Sequence, residues 1–144
     1  MKIKSLTIYC SASNNLDKKF YDLGEEIGVF LGQKKISIVY GGGNIGLMGK
    51  VSNAALQHGS KVVGIIPKFL KKAENINYNI SKTIVVQTMS ERKRILYEKG
   101  DAFLILPGGS GTIEEATEII SWKILGLHNK PIIIFNFNNY WKTL

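Results

Sequence analysis

The 144-residue sequence has one cysteine, Cys10, and only two histidines, His58 and His128, far apart in the chain. An internal disulfide is thereby excluded, and a Cys-rich or His-rich metal centre has no ligand set, so no metal is expected. Long apolar runs are lacking too. The short run after Met1-Lys2-Ile3-Lys4 ends at Tyr9-Cys10, too brief for a secretory signal or a membrane span, and no other stretch is long enough. A cytoplasmic protein with no membrane contact is expected. Acidic residues are outnumbered, 11 Asp+Glu against 19 Lys+Arg, for a formal charge of +8. That excess reads either as a lysine-rich solvated surface or as attraction for anionic ligands. The local clusters, Lys68-Lys71-Lys72 and Arg92-Lys93-Arg94, lack the interleaved aromatics of an RNA-binding sheet. A phosphorylated small molecule fits better than nucleic acid.

Strand and helix signals alternate from end to end. Compact apolar runs at residues 5–10, 36–40, 61–66, 83–87, 102–106 and 131–135 predict six strands. Leu16, Phe20, Leu23, Ile27 and Phe30 recur at helical spacing, and further helices are predicted over about 47–58, 89–99 and 112–125, closed by Gly59, Gly100 and Gly126. Residues 68–82 are polar and weakly periodic, a surface excursion with one helical turn at most. Strands that are apolar throughout, rather than alternating, suit burial on both faces of a parallel sheet. The expected fold is therefore one α/β domain over residues 1–144, a doubly wound, Rossmann-like three-layer sandwich with a mainly parallel sheet.

Most of the functional information lies in two glycine clusters, each between a predicted strand and its helix. They are Gly41-Gly42-Gly43-Asn44-Ile45-Gly46 and Pro107-Gly108-Gly109-Ser110-Gly111-Thr112. Loops beyond the carboxyl ends of parallel strands are where such sheets bind ligands, and backbone N–H groups at a helix start attract an anion. A tight turn explains one such cluster equally well, but two on the same rim favour a nucleotide. Neither contains the Gly-Lys-Ser/Thr of a Walker loop, and no acidic residue ends the strand after the first, which disfavours NAD. No cofactor is expected.

Two side chains stand beside these loops. Thr112 and Glu115 have the spacing of a capping box, yet Glu115 also projects toward the packed side of its helix, between Ile119 and Trp122. Cap and acid–base group remain equal alternatives. Glu114 groups instead with Glu118 and Ser121 on the wetter face. Arg92 shares a helical face with Met89 and Leu96, either on an ordinary salt-bridged surface or as a guanidinium held near a phosphate or a leaving base.

Met89-x-x-Arg92-Lys93, Asp101-Ala102-Phe103, Pro107-Gly108-Gly109-Ser110-Gly111-Thr112-x-x-Glu115, and Trp122 through Pro131 resemble the LOG family. These are the cytokinin riboside 5′-monophosphate phosphoribohydrolases, once labelled lysine decarboxylases. Gly41-Gly42-Gly43-x-x-Gly46-Leu47-Met48-Gly49 matches the family's other hallmark, and Cys10-Ser11-Ala12-Ser13 resembles its first-strand ending. The resemblance runs from about Leu6 to Tyr140.

It implies hydrolysis of the N-glycosidic bond of an adenosine 5′-monophosphate, plain or N6-modified, to free base and ribose 5-phosphate. Arg92 and Glu115 would be the catalytic pair. Substrate contacts would come from Lys93, Met89, Gly42, Gly43, the Gly108, Gly109, Ser110, Gly111 and Thr112 loop, Ser121 and, as a weaker match, Glu74. A homodimer is implied as well. Relatives usually continue for several tens of residues past the segment matching Asn139-Tyr140-Trp141, so the family's last helix is expected to be absent here. The alternatives are a general nucleotide nucleosidase and a non-catalytic carrier related to the molybdenum-cofactor carriers. A pyridoxal phosphate decarboxylase is disfavoured, because no lysine site for that cofactor is recognisable.

Overall fold

A computed structural model describes residues 2–72 and 75–144. Six strands, β1 (Ser5–Tyr9), β2 (Ser37–Tyr40), β3 (Val62–Pro67), β4 (Lys82–Val86), β5 (Ala102–Ile105) and β6 (Ile132–Ile134), form one sheet in the order β4-β3-β2-β1-β5-β6. Every neighbouring pair is parallel, with Leu6 opposite Ile38 on one side of β1 and opposite Ala102 on the other. The α-helices among the described residues are α1 (Lys18–Gln33), α2 (Gly46–Gln57), α3 (Met89–Lys99) and α4 (Ser110–Ile124). Successive β1 residues point to opposite faces. Leu6, Ile8 and Cys10 join Leu31, Leu47, Val51 and Ala55 in one core, against α1 and α2. Tyr9 joins Leu96, Phe103, Ala116 and Ile119 in the other, against α3 and α4. The expected doubly wound α/β sandwich is what the chain adopts.

The chain winds outward from β1 to β4, then returns to lay β5 beside β1. The loops after β1 and β5 therefore part in opposite directions and open a crevice between them, at the carboxyl ends of the strands.

Three expectations need correction. Phe30 does not belong to the packed face of α1 and is 55% exposed. That face is instead a seam of Gly24, Gly28 and Gly32, so close to α2 that a Cβ at Gly28 would lie 2.5 Å from the Val51 carbonyl. Burial on both faces holds for the central strands but not the edges, since Val85 of β4 and Ile133 and Ile134 of β6 are exposed. Residues 68–82 are also more than an excursion. A 3₁₀ turn covers Lys68–Leu70, and further on Ile76 bridges to Gly43, with Ile76 and Asn77 buried.

Candidate active site

The crevice between the β1 and β5 ends is a cleft of about 340 Å3, lined among others by Ser11, Ser13, Met48, Met89, Arg92, the Gly109–Thr112 loop and Glu115. A larger groove of about 570 Å3 lies beside α1 and α2, lined by residues such as Asn14, Glu25, Asn44 and Lys50. Neither Arg92 nor Glu115 reaches that groove.

Arg92 is 6% exposed. A buried guanidinium needs partners for its donors. Nε donates to the Ile65 carbonyl at 3.0 Å and Nη2 to the Gly41 carbonyl at 2.7 Å, so the side chain is tied to the ends of β3 and β2. Leu96, one turn on, is buried beneath it in the α3-facing core. The reading of α3 as a plain salt-bridged surface is thus wrong for Arg92, though it holds for Arg94, which pairs with Glu98.

The first glycine cluster serves this arginine. Gly42 has φ +82, which turns the chain so that three successive carbonyls meet different donors. Gly41 accepts from Arg92, Gly42 from the Asn77 amide at 2.9 Å, and Gly43 from the Tyr40 hydroxyl at 2.9 Å. Gly42 and Gly43 do not line the cleft. Their carbonyls are taken by Asn77 and Tyr40, which brace the turn whose first carbonyl, that of Gly41, accepts from Arg92.

The second cluster does face the cleft. Helix α4 begins at Ser110, with Gly109 as its N-cap residue and no side-chain cap hydrogen bond. The first amides of a helix have no partner within it, and here they open on the cleft with the helix's partial positive charge behind them. Thr112 is not a cap. It lies inside the first turn, buried against Gly108, which rejects the capping box with Glu115. A related cap exists elsewhere: Thr88, the N-cap of α3, accepts at Oγ1 from the Glu91 amide at 3.1 Å, and Glu91 Oε2 reaches back to accept from the Gln87 amide, one residue before the cap, at 2.9 Å. The Thr-x-x-Glu spacing at 88–91 was equally visible in the sequence.

Freed from a capping role, Glu115 is half-buried on the cleft wall. Loss of water raises its carboxyl to about 7. Arg92 and, more weakly, Lys93 hold it down, while Glu114 and Glu118 push it up. A carboxylate poised near neutrality beside a fixed arginine and the start of a helix is suited to proton transfer.

Lys93 does not reach the cleft lining. Its Nζ donates to Glu114 at 2.7 Å and Glu118 at 2.9 Å, latching α3 to α4, and these bonds raise its own value to about 12. Ser121, exposed, and Gly108, buried, both lie outside the cleft, whereas Met89, Gly109, Ser110, Gly111 and Thr112 line it. Glu74 lies outside the described residues. Ser11, Ala12, Ser13 and Met48 line the cleft without having been singled out as site residues. The signal for the first three was the run of small side chains directly after β1.

The sequence model of the family described as "possible lysine decarboxylase" matches residues 48–144. Over 142 residues the chain is 43% identical to a cytokinin riboside 5′-monophosphate phosphoribohydrolase of Rhodococcoides fascians, covering 98% of this chain and 72% of that protein. It is 39% identical to a probable enzyme of the same name from Arabidopsis thaliana, over 99% of this chain and 71% of the relative. Among solved structures, the molybdenum-cofactor carrier protein of Chlamydomonas reinhardtii superposes with a TM-score of 0.77 at 17% identity, over 99% of this chain and 82% of the carrier. That likeness is one of fold alone. Sequence identity along nearly the whole chain and the motifs gathered at one cleft lead to one assignment: the chain belongs to the LOG family, which carries the older description of possible lysine decarboxylases.

Proposed function

We propose that residues 1–144 act as a single nucleotide-binding hydrolase domain that cleaves the N-glycosidic bond of adenosine 5′-monophosphates, with or without an N6 substituent, to free base and ribose 5-phosphate. The observation that carries the proposal is Glu115, raised to about 7 on the wall of a cleft that also holds Arg92 and the open amides of α4. The relatives' names specify the same bond.

The 5′-phosphate binds the amides of Gly109, Ser110, Gly111 and Thr112, where the helix N-terminus favours negative charge. That contact sets C1′ beside Glu115, one turn along α4. As the C1′–N bond breaks, its electron pair leaves with the base and positive charge grows on the ribose. The Glu115 carboxylate stabilises that charge and takes a proton from the water that adds to C1′, while a proton from solvent neutralises the departing base at its freed nitrogen. Arg92, held by two carbonyls, presents a fixed positive charge to the phosphate and the departing base without having to reorganise. Met48 and Met89 supply soft apolar walls for the base. Lys93 acts through the latch, by neutralising Glu114 and Glu118 beside the catalytic carboxyl.

The reading includes a cytoplasmic location, in keeping with a single free buried cysteine. It also includes a homodimer, in keeping with the exposed Ile124, Leu125 and Leu127 at the end of α4. Sedimentation of the purified chain measures the oligomeric state directly.

Incubation with AMP and with N6-isopentenyl-AMP tests the activity. Free base and ribose 5-phosphate are expected, and the rate ratio separates a general nucleosidase from one that prefers the modified base. Nucleotide binding without base release from either substrate would leave a carrier. Because the active form is the carboxylate, kcat/KM should rise with pH through about 7 and then level. A fall over that range would instead make Glu115 an acid toward the leaving base. In Lys93→Met the rise should move to higher pH, since a nearby positive charge is lost and two carboxylates are left without their neutralising partner. An unmoved pH profile would show that the latch is only structural.

A further inference from the structure

The strap after β6 returns to the phosphate loop. Asn138 and Asn139 have φ of 49 and 57, left-handed conformations that asparagine tolerates better than most residues. The Asn136 side chain accepts from the Trp141 amide at 2.8 Å and closes the turn. The turn brings Tyr140 edge-on to Phe20, with ring centroids 5.8 Å apart, and its hydroxyl donates to the Gly108 carbonyl at 2.8 Å.

That bond has a geometric consequence. The Gly108 carbonyl and the Gly109 N–H belong to one planar trans peptide and point in opposite directions. Fixing the carbonyl toward Tyr140 therefore directs the Gly109 N–H away from the strap, and Gly109 is a residue of the cleft lining. The preceding peptide is held in the same way, with the Pro107 carbonyl accepting from the Ser11 amide at 3.0 Å. On the open side, no atom of the described residues beyond the chain neighbours lies within 4 Å of where a Cβ would stand on Gly109 or Gly111. The orientation of the loop is thus set from behind.

We propose that Tyr140 is a positioning residue for phosphate recognition: its hydroxyl, through the Gly108 carbonyl, orients the Gly109 amide toward the 5′-phosphate. The inference rests on the nucleotide reading above. Tyr140 touches no substrate, and its effect is confined to the phosphate end of the ligand.

The test is calorimetric titration of the full chain with inorganic phosphate and, separately, with adenosine, for wild type, Tyr140→Phe and Phe20→Leu. Tyr140→Phe keeps the ring and its contacts, so the fold is retained. Its phosphate affinity should fall about fivefold, the size a single neutral hydrogen bond supports, while adenosine affinity stays unchanged. Phe20→Leu keeps the hydroxyl, so it should lower the melting temperature and leave phosphate affinity alone. Equal phosphate binding by wild type and Tyr140→Phe, or equal weakening of phosphate and adenosine, overturns the role of Tyr140 and spares the nucleotide reading. Absence of phosphate binding in wild type overturns both.

Discussion

Glu115→Gln is expected to lower the rate of base release by about 10²–10⁴-fold, the range attributed to a positioned general acid–base group, with nucleotide affinity largely retained. The amide has nearly the shape of the carboxyl but can neither accept the proton of the attacking water nor carry the negative charge that faces the developing cation. Stability should move the other way. Burial raises the carboxyl to about 7, so the folded state favours the protonated form. That preference contributes stability below the ordinary carboxylate range, and the contribution is lost as pH rises to about 7. Above neutrality the wild type holds a partly buried anion that glutamine does not impose. Glu115→Gln should therefore melt at or above the wild-type temperature at about pH 8, and its melting temperature should depend less on pH between about 4.5 and 7. Product analysis and thermal melts across that range check both halves. Retained activity would remove Glu115 from the chemistry, and a lower melting temperature above neutrality would contradict the electrostatic account.

Gly41→Ala is expected to lower kcat by about 100-fold, comparable to the cost of a misplacement of about 1 Å in a catalytic group. Gly41 does not have a positive φ, so alanine brings no backbone strain of that kind. The conflict is with side chains: the added methyl would lie 2.5 Å from Arg92 Nη2 and 3.1 Å from the Met48 methyl. Arg92 has to leave the Gly41 carbonyl, and the bond from Nε to Ile65 is disturbed with it. Overpacking of this sort costs roughly 1–3 kcal/mol of stability, so the comparison belongs at a temperature where the variant is fully folded. Arg92→Lys should reproduce the loss, because a single ammonium cannot span two carbonyls on different strands as the planar guanidinium does. The outcome separates two uses of the triglycine segment. A cradle for Arg92 predicts a fall in kcat, whereas a phosphate-binding loop predicts a higher KM for the nucleotide with kcat little changed.

These two positions also mark how far the sequence could be read. The α/β alternation was legible because each strand is a short, mainly apolar run, and each helix is closed by glycine or begins at a loop of small residues. Glu115 was legible as a candidate but not as a choice between cap and catalyst. Capping depends on where α4 begins, and the spacing of Thr112 and Glu115 does not reveal that Ser110, two residues before Thr112, is already helical. Phe30 was misplaced because a count of apolar residues ignores glycine, and it was the Gly24-Gly28-Gly32 seam that set the face of α1. Lys93 was expected at the nucleotide, and its ammonium is instead paired with two carboxylates on α4, Glu114 at the cleft edge and Glu118.

By itself the sequence determined the α/β alternation and the placing of both glycine clusters at strand ends, with Arg92 and Glu115 as candidates beside them, while their pairing as catalysts was what the resemblance to the LOG family implied. The alternation, the placing and the candidates follow from local periodicity and from residue types whose chemistry does not depend on distant partners. The tertiary structure alone decided what each glycine cluster does, because that depends on which side of the peptide faces a neighbour. The first cluster turns its carbonyls to Arg92, Asn77 and Tyr40, and the second begins a helix whose amides open on the cleft. Direction of a peptide plane is a matter of what packs behind it. In this protein the groups behind the loops, Arg92 and Tyr140, lie 51 and 32 residues away in the chain from the glycines whose carbonyls they bind.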